Sequence, residues 1–223
     1  MEEKIYGGLR YLVRYPENFD KSQKYPALLF LHGAGTVGND MQKLRNNSFW
    51  THVDRPDFPC VIFAPQCDEK LVWFDMFEKL RALCQMIAAC DFVDGSRFYL
   101  TGNSMGGYGT WQLAMSLPEL FAAIIPVCGG GMYWNAGRLK NLPVWAFHGA
   151  LDKVVLCEES QKMVNAVNAK GGNAKLTVYP ENGHNAWDDT YGNLAVWEWL
   201  LAQKRGDCED HGASESYDGK RFG

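Results

Sequence analysis

Six apolar runs of six to eight residues recur between residues 27 and 180, each bounded by polar or glycine-rich sequence: ALLFLH, CVIFAPQ, RFYLTG, FAAIIPVC, PVWAFHG and AKLTVYP. Runs this short and this continuously apolar suit strands covered on both faces. The stretches between them have helical character. Residues 76–90 place Leu80, Leu83, Cys84 and Ile87 on one helical face. MGGYGTWQLAMSLP predicts a helix that stops near Pro118, CEESQKMVNAVNAKGG one that ends by Gly171, and NLAVWEWLLAQK a last one. A short helix is expected over residues 39–49, and LRYLVRYP near the start reads as an antiparallel strand. Parallel neighbours need a crossover, and helices supply it. The alternation therefore predicts an α/β fold: a mostly parallel sheet with helices on both faces.

No internal repeat interrupts this order, and residues 1–204 read as one domain followed by a polar tail, residues 205–223, in which Tyr217 and Phe222 stand out. Hydrophobic residues make up 47 % of the chain, enough for a substantial core. The net charge of −4 contains no long run of one sign, so no nucleic-acid partner is expected. The apolar runs are too short to span a bilayer, so no membrane partner is expected either. The polar, acidic start MEEKIYGGLRY lacks a basic-then-apolar region, and the expectation is a cytoplasmic monomer or homodimer. The seven cysteines include no C-x-x-C pair and lie mostly in apolar runs, which predicts reduced, buried thiols rather than a zinc site.

One serine stands out. In YLTGNSMGGYGTW, Gly102, Ser104 and Gly106 form G-x-S-x-G at the seam between a predicted strand and a predicted helix. A turn that tight tolerates no bulk two residues either side of its tip. It exposes the Ser104 hydroxyl and aims the Met105 N–H at any oxygen that becomes negative. The pattern alone is short, and a passive serine in a glycine-rich turn is its other reading; the strand before and the helix after favour the functional one.

A serine nucleophile needs a base. His211 lies in the tail, and His52 in a loop with no motif. His32 and His148 each close a strand as His-Gly and read as structural hydrogen-bonders. His184, in YPENGHNAW after the last strand, remains as the base. Asp152 follows the strand VWAFHG and is the candidate acid, whereas Asp188 and Asp189 suit a helix start. Two N–H donors are usual for an oxyanion, and the loop in FLHGAGTVG offers Ala34 beside Met105. A phosphate-binding loop would need G-x-x-x-x-G-K-[ST], which is absent from the sequence.

Taken together, LLFLHGAG, GNSMGGYGTW, FHGALDKVV and YPENGHNAW resemble the α/β-hydrolase superfamily over residues 9–203. Within it they are similar to the dienelactone-hydrolase-like, phospholipase/carboxylesterase-like and prolyl-oligopeptidase-like group, and FLHGAG…GND with APQC…VWF is most similar to predicted-peptidase and feruloyl-esterase-like proteins. The resemblance implies Ser104 as nucleophile, Asp152 as acid, His184 as base, and Ala34 and Met105 as oxyanion donors. It departs from dienelactone hydrolases proper, which carry a cysteine nucleophile. Trp73, Trp134 and Trp187 fall in loops expected over the sheet's carboxyl edge, which predicts an aromatic-walled pocket. The connection GGGMYWNAGRLKNL has room for a short helix but no large lid. The expected function is a serine carboxylesterase acting on small soluble or aryl esters without metal or organic cofactor. A peptidase or amidase, and a non-catalytic binding protein, are the alternatives.

Overall fold

The computed structural model describes residues 1–206. One eight-stranded sheet organises it, in the spatial order β1-β2-β4-β3-β5-β6-β7-β8. The strands are β1 (Glu2–Tyr6), β2 (Leu9–Arg14), β3 (Tyr25–Leu31), β4 (Val61–Pro65), β5 (Val93–Asn103), β6 (Ala123–Val127), β7 (Val144–Gly149) and β8 (Ala174–Tyr179). β1 and β2 join antiparallel, as do β2 and β4; from β4 to β8 every pairing is parallel. The α/β architecture with a mostly parallel sheet is thus the observed one.

Each apolar run divides between two cores because strand side chains alternate. On β3, Ala27, Leu29 and Leu31 face one side and Leu28 and Phe30 the other. The first side is covered by α3 (Phe77–Ala88), α4 (Met105–Ser116) and α5 (Cys157–Ala169), through Leu80, Leu83, Trp111 and Met163 among others. The second is covered by α1 (Met41–Arg45), α2 (Phe49–Val53), α6 (Trp187–Gly192) and α7 (Leu194–Ala202). There Phe49 stacks on Phe30 at 3.8 Å, and Tyr191 and Trp197 close the aromatic cluster.

Two local features differ from the sequence reading. The single helix expected over residues 39–49 is two helices, α1 and α2. The polar stretch Asn46–Asn47–Ser48 breaks it, because the Asn47 side chain accepts the Phe49 N–H at 3.0 Å and donates to Thr36 Oγ1 at 2.9 Å. The charged start of the chain forms an edge strand, β1, turned into β2 by Gly7 and Gly8 at φ 55° and 75°. As expected of a helix start, Asp188 and Asp189 lie in the first turn of α6. The connection between β6 and β7 holds a 3₁₀ segment, Tyr133–Leu139. No helix among the described residues is long and apolar enough to cross a membrane. Cys60, Cys67, Cys84 and Cys128 are buried free thiols, and Cys90 and Cys157 half-buried ones. Cys208, His211, Tyr217, Phe222 and nearly all of the tail lie outside the described residues.

His32, at the end of β3, is a buried brace between the first two loops of the carboxyl edge. Its Nδ1–H donates to the Gly33 carbonyl at 2.7 Å, and its Nε2 accepts the Cys67 N–H at 3.0 Å. Only a neutral ring fits both partners, and burial pulls its pKa from 6.5 down to about 4. Between those values the unfolded chain binds a proton that the folded chain does not. Stability must therefore fall as pH drops from about 6.5 towards 4, by at most about 3 kcal/mol. Denaturant unfolding of wild type and His32→Gln across this range should show the stability gap between them narrowing as pH falls. A gap independent of pH would uncouple His32 from acid sensitivity.

Candidate active site

The seam between β5 and α4 is built from backbone lying against backbone. In parallel register Leu31 of β3 sits opposite Gly102 of β5. A Cβ on Gly102 or Gly106 would overlap the Leu31 carbonyl, and one on Gly107 would overlap the Val127 carbonyl of β6. Ser104 stands at the tip with φ 56° and ψ −119°, a left-handed conformation uncommon for a residue with a side chain. Its N–H donates to the Val127 carbonyl at 2.9 Å, and its carbonyl accepts the Tyr108 N–H at 3.1 Å. The tip is thereby fixed on both sides, and the unpaired N-terminal donors of α4 begin at Met105.

Two further loops converge on Ser104. The loops after β7 and β8 are joined by backbone bonds, Ala150 N–H to Tyr179 and Leu151 N–H to Asn182, each 2.9 Å. Gly149 makes this possible, since a Cβ there would overlap the Asn182 and Gly183 carbonyls. The result places His184 Nε2 2.8 Å from Ser104 Oγ and His184 Nδ1 2.7 Å from Asp152 Oδ2. Asp152 is fully buried at its side chain, and its Oδ1 accepts the N–H groups of Val154 and Val155 at 2.9 and 3.0 Å. Burial pushes its pKa up, but the bonds from His184, Val155 and Val154 outweigh that, and the net shift is downward. An ionised carboxylate keeps the proton on His184 Nδ1 and leaves Nε2 to accept one from the Ser104 hydroxyl. Such a relay can activate an alcohol for attack on an acyl carbon.

A cavity of about 430 Å³ opens over Ser104 and His184. The Ala34–Thr36 3₁₀ turn after β3 forms one wall, held close enough that a Cβ on Gly33 would lie 3.4 Å from the Ser104 Cβ. Ala34 lines this cavity, and Met105 starts α4 one residue beyond Ser104. Thr36, Asn47 and Ser48 make the wall polar on that side, while Trp187 and Val154 are apolar. Sequence reasoning missed Asn47 and Ser48, because they reach the site only through the break between α1 and α2.

The three tryptophans do not share one pocket. Trp187 lines the cavity and meets the His184 ring edge-on at 5.3 Å. Trp73 is instead a core residue, 1 % exposed. Its indole fills the notch left by Gly109 and donates to the His32 carbonyl at 2.9 Å. Trp134 is 70 % exposed on the 3₁₀ segment, packs edge-on against Tyr133 and is not among the cavity's walls. Asp188 stands 3.7 Å from His52, and Asp189 accepts from Asn182, so neither serves His184.

Beneath the relay sits Cys128, buried at the end of β6 with φ 48°. Its sulfur, an Asp152 oxygen and a His184 nitrogen lie within 4.8 Å of one another, the described residues best grouped to meet a metal ion. Burial pushes the thiol pKa up to about 12, and the carboxylate and imidazole already bond each other, so the group is better suited to packing than to ligation.

Residues 66–193 match the family described as "Dienelactone hydrolase family". Among solved structures, a thermostable esterase is 34 % identical with a TM-score of 0.74, over 88 % of this chain and 60 % of that one. Among curated relatives, "Probable feruloyl esterase C" of Aspergillus terreus is 24 % identical over 71 % of this chain and 60 % of its own length. "Dipeptidyl-peptidase 5" of Porphyromonas gingivalis is 23 % identical over 80 % of this chain and 33 % of its own. The chain thus spans between a third and three-fifths of the length of these proteins.

The seam yields a sharp contrast between two glycines. Gly106→Ala forces a methyl into the Leu31 and His32 carbonyls, and should cost about 3 kcal/mol or more. Gly35→Ala meets nothing within 4 Å and should change stability by less than about 0.5 kcal/mol. Equilibrium unfolding of both variants checks this, and similar stabilities would contradict the close approach.

Proposed function

The chain belongs to the dienelactone hydrolase family, and on that premise we propose that it is a hydrolytic enzyme of esterase type, a serine carboxylesterase for small, uncharged esters. The observation that carries this reading is the unbroken relay Ser104–His184–Asp152 at the floor of an open cavity. His184 takes the Ser104 proton as Oγ attacks the ester carbonyl. The oxyanion is received between the N–H groups of Ala34 and Met105. His184 then protonates the departing alcohol, and water, deprotonated by the same imidazole, releases the acid from Ser104.

Charge supports the substrate class. Among the described residues lining the cavity there is no Lys or Arg to meet a substrate carboxylate, and no Asp or Glu to meet an ammonium. An ester with an apolar or aryl face suits Trp187 and Val154, and the likeness to a feruloyl esterase agrees with it. Amide cleavage is the second reading, favoured by the likeness to a dipeptidyl peptidase.

Ser104→Ala should keep the fold and lower ester turnover by about 10⁴-fold or more, and a fluorophosphonate should label wild type at Ser104 but not the variant. Asp152→Asn should cost roughly 10²–10⁴-fold by disfavouring the productive His184 tautomer. Activity persisting in a clean Ser104→Ala preparation would falsify the nucleophile. Paired aryl esters with and without a carboxylate on the acyl group test the pocket: the neutral member should be preferred by at least about 10-fold in kcat/KM, for want of a counter-charge. Equal rates would overturn the charge argument, and faster cleavage of matched anilides would favour the amidase reading.

A further inference from the structure

A second histidine reaches the same carboxylate. His148, near the end of β7, is fully buried. Its Nε2 lies 2.9 Å from the Val155 carbonyl and 3.3 Å from Asp152 Oδ2. The carbonyl can only accept, as can an ionised carboxylate, so a proton resides on Nε2; it is donated to the Val155 carbonyl, with Asp152 Oδ2 beside it as an electrostatic contact. On the far side, Nδ1 is 2.8 Å from Ser160 Oγ, whose hydroxyl also lies 2.8 Å from the Gly129 carbonyl; with the ring proton on Nε2, the single Ser160 hydrogen serves these two acceptors. The ring is thereby strung between α5, the end of β6 and the Asp152 loop. Val155 is gripped from both ends: its N–H donates to Asp152 Oδ1 at 3.0 Å and its carbonyl accepts from His148.

We propose that His148 is a positioning residue for the hydrolytic relay, holding the Asp152 carboxylate in line with His184 and limiting its strength as an acceptor by sharing Oδ2. The proposal rests on the serine-esterase reading above. Oδ2 faces the His184 Nδ1–H at 2.7 Å and the His148 Nε2–H at 3.3 Å. Each donor weakens the carboxylate's pull on the other, because one oxygen's negative charge serves both. Without His148, Asp152 would hold a proton on His184 more tightly, and the loop from Asp152 to Val155 would lose its link to α5.

The ionisable groups around this cluster come from five elements. They are Asp152 and His184 on their loops, Cys128 at the end of β6, Cys157, Glu158 and Glu159 on α5, and Tyr108 on α4. Burial raises both thiols and the Tyr108 phenol, so they stay neutral. Asp152 is the negative charge that His148 and His184 both face.

The test compares His148→Leu, which removes the donor, with His148→Gln, whose side-chain amide can place an N–H near the Nε2 position. Steady-state kinetics on a soluble neutral aryl ester are measured from pH 5 to 9, with folding checked by near-ultraviolet circular dichroism. In His148→Leu, kcat should fall roughly 10-fold or more with KM changed less than about 2-fold, since transition-state stabilisation alone is lost. The acid limb of kcat/KM should move up by roughly half a pH unit, because His184 then keeps its proton longer. His148→Gln should recover most of both. Leu and Gln variants that fold and behave alike, or a loss confined to KM, overturn the proposal. Should His148→Leu fail to fold, Ser160→Ala tests the same strut from its other end. It should lower kcat by roughly 3-fold with the same direction of shift in the acid limb, and a wild-type profile there overturns the proposal. Ser104→Ala is run alongside. If it remains active, the esterase reading itself fails; if it is inactive while the His148 variants match wild type, only the role of His148 fails.

Discussion

Everything at the carboxyl edge depends on how closely α4 is allowed to approach β3. Leu31 and Gly102 are register partners, and Gly106 begins the helix directly over the Leu31 carbonyl. Side chains would hold these backbones ångströms apart. With glycine there, the helix N-terminus drops onto the strand ends, and the loop after β3 comes to rest against Ser104. Gly107 and Gly129 repeat the arrangement towards β6. The cost appears at Ser104, whose φ of 56° is strained by about 1–3 kcal/mol. The continuous core on both faces of the sheet offsets it, so the exposed hydroxyl is a consequence of packing rather than of local preference.

Three histidines show how neighbours decide what a residue type does. His32 has one backbone acceptor and one backbone donor on its ring, which fixes it as neutral. His148 has an acceptor on one side and a serine on the other, which fixes its place. His184 has a buried carboxylate on one side and a half-buried hydroxyl on the other, which leaves one nitrogen available for proton transfer. In sequence His32 and His148 look alike, each followed by glycine. Their separate partners come from Cys67 and from Val155 and Ser160, which no local pattern announces.

That difference marks how far the sequence could be read. Strand and helix periodicity report which face of an element is apolar, and seven of the eight strands and the order Ser104, Asp152, His184 follow from runs and spacings. Periodicity does not report what sits across from a face. Trp73 and Trp187 both read as loop residues over the same edge, yet Trp73 is drawn into the notch at Gly109 and Trp187 starts α6 beside His184. Asn47 and Ser48 join the cavity only because the Asn47 side chain competes with the helix backbone, a contest settled by Thr36 eleven residues earlier. β1 escaped notice because its charged residues suit an exposed edge as well as a loop.

The positive-φ residues give this a further turn. Among the described residues, four that are not glycine have positive φ: Asn18 and Lys70 in turns, and Ser104 and Cys128 at the ends of neighbouring strands. A turn accepts such a conformation cheaply; a buried strand end does not. Ser104 and Cys128 are tied to adjacent strands by their own N–H groups, Ser104 to Val127 and Cys128 to Phe147, so the strain steps across the sheet in the direction of Asp152 and His184. Each strand end is held by the strand beside it. Relaxing either residue to an ordinary φ would cost a sheet hydrogen bond and shift the next loop. Ser104 is held directly by this row of inter-strand bonds, and the loops that carry Asp152 and His184 are tied to its continuation through Ala150 to Tyr179 and Leu151 to Asn182, so His184 inherits its placement from strands it does not belong to.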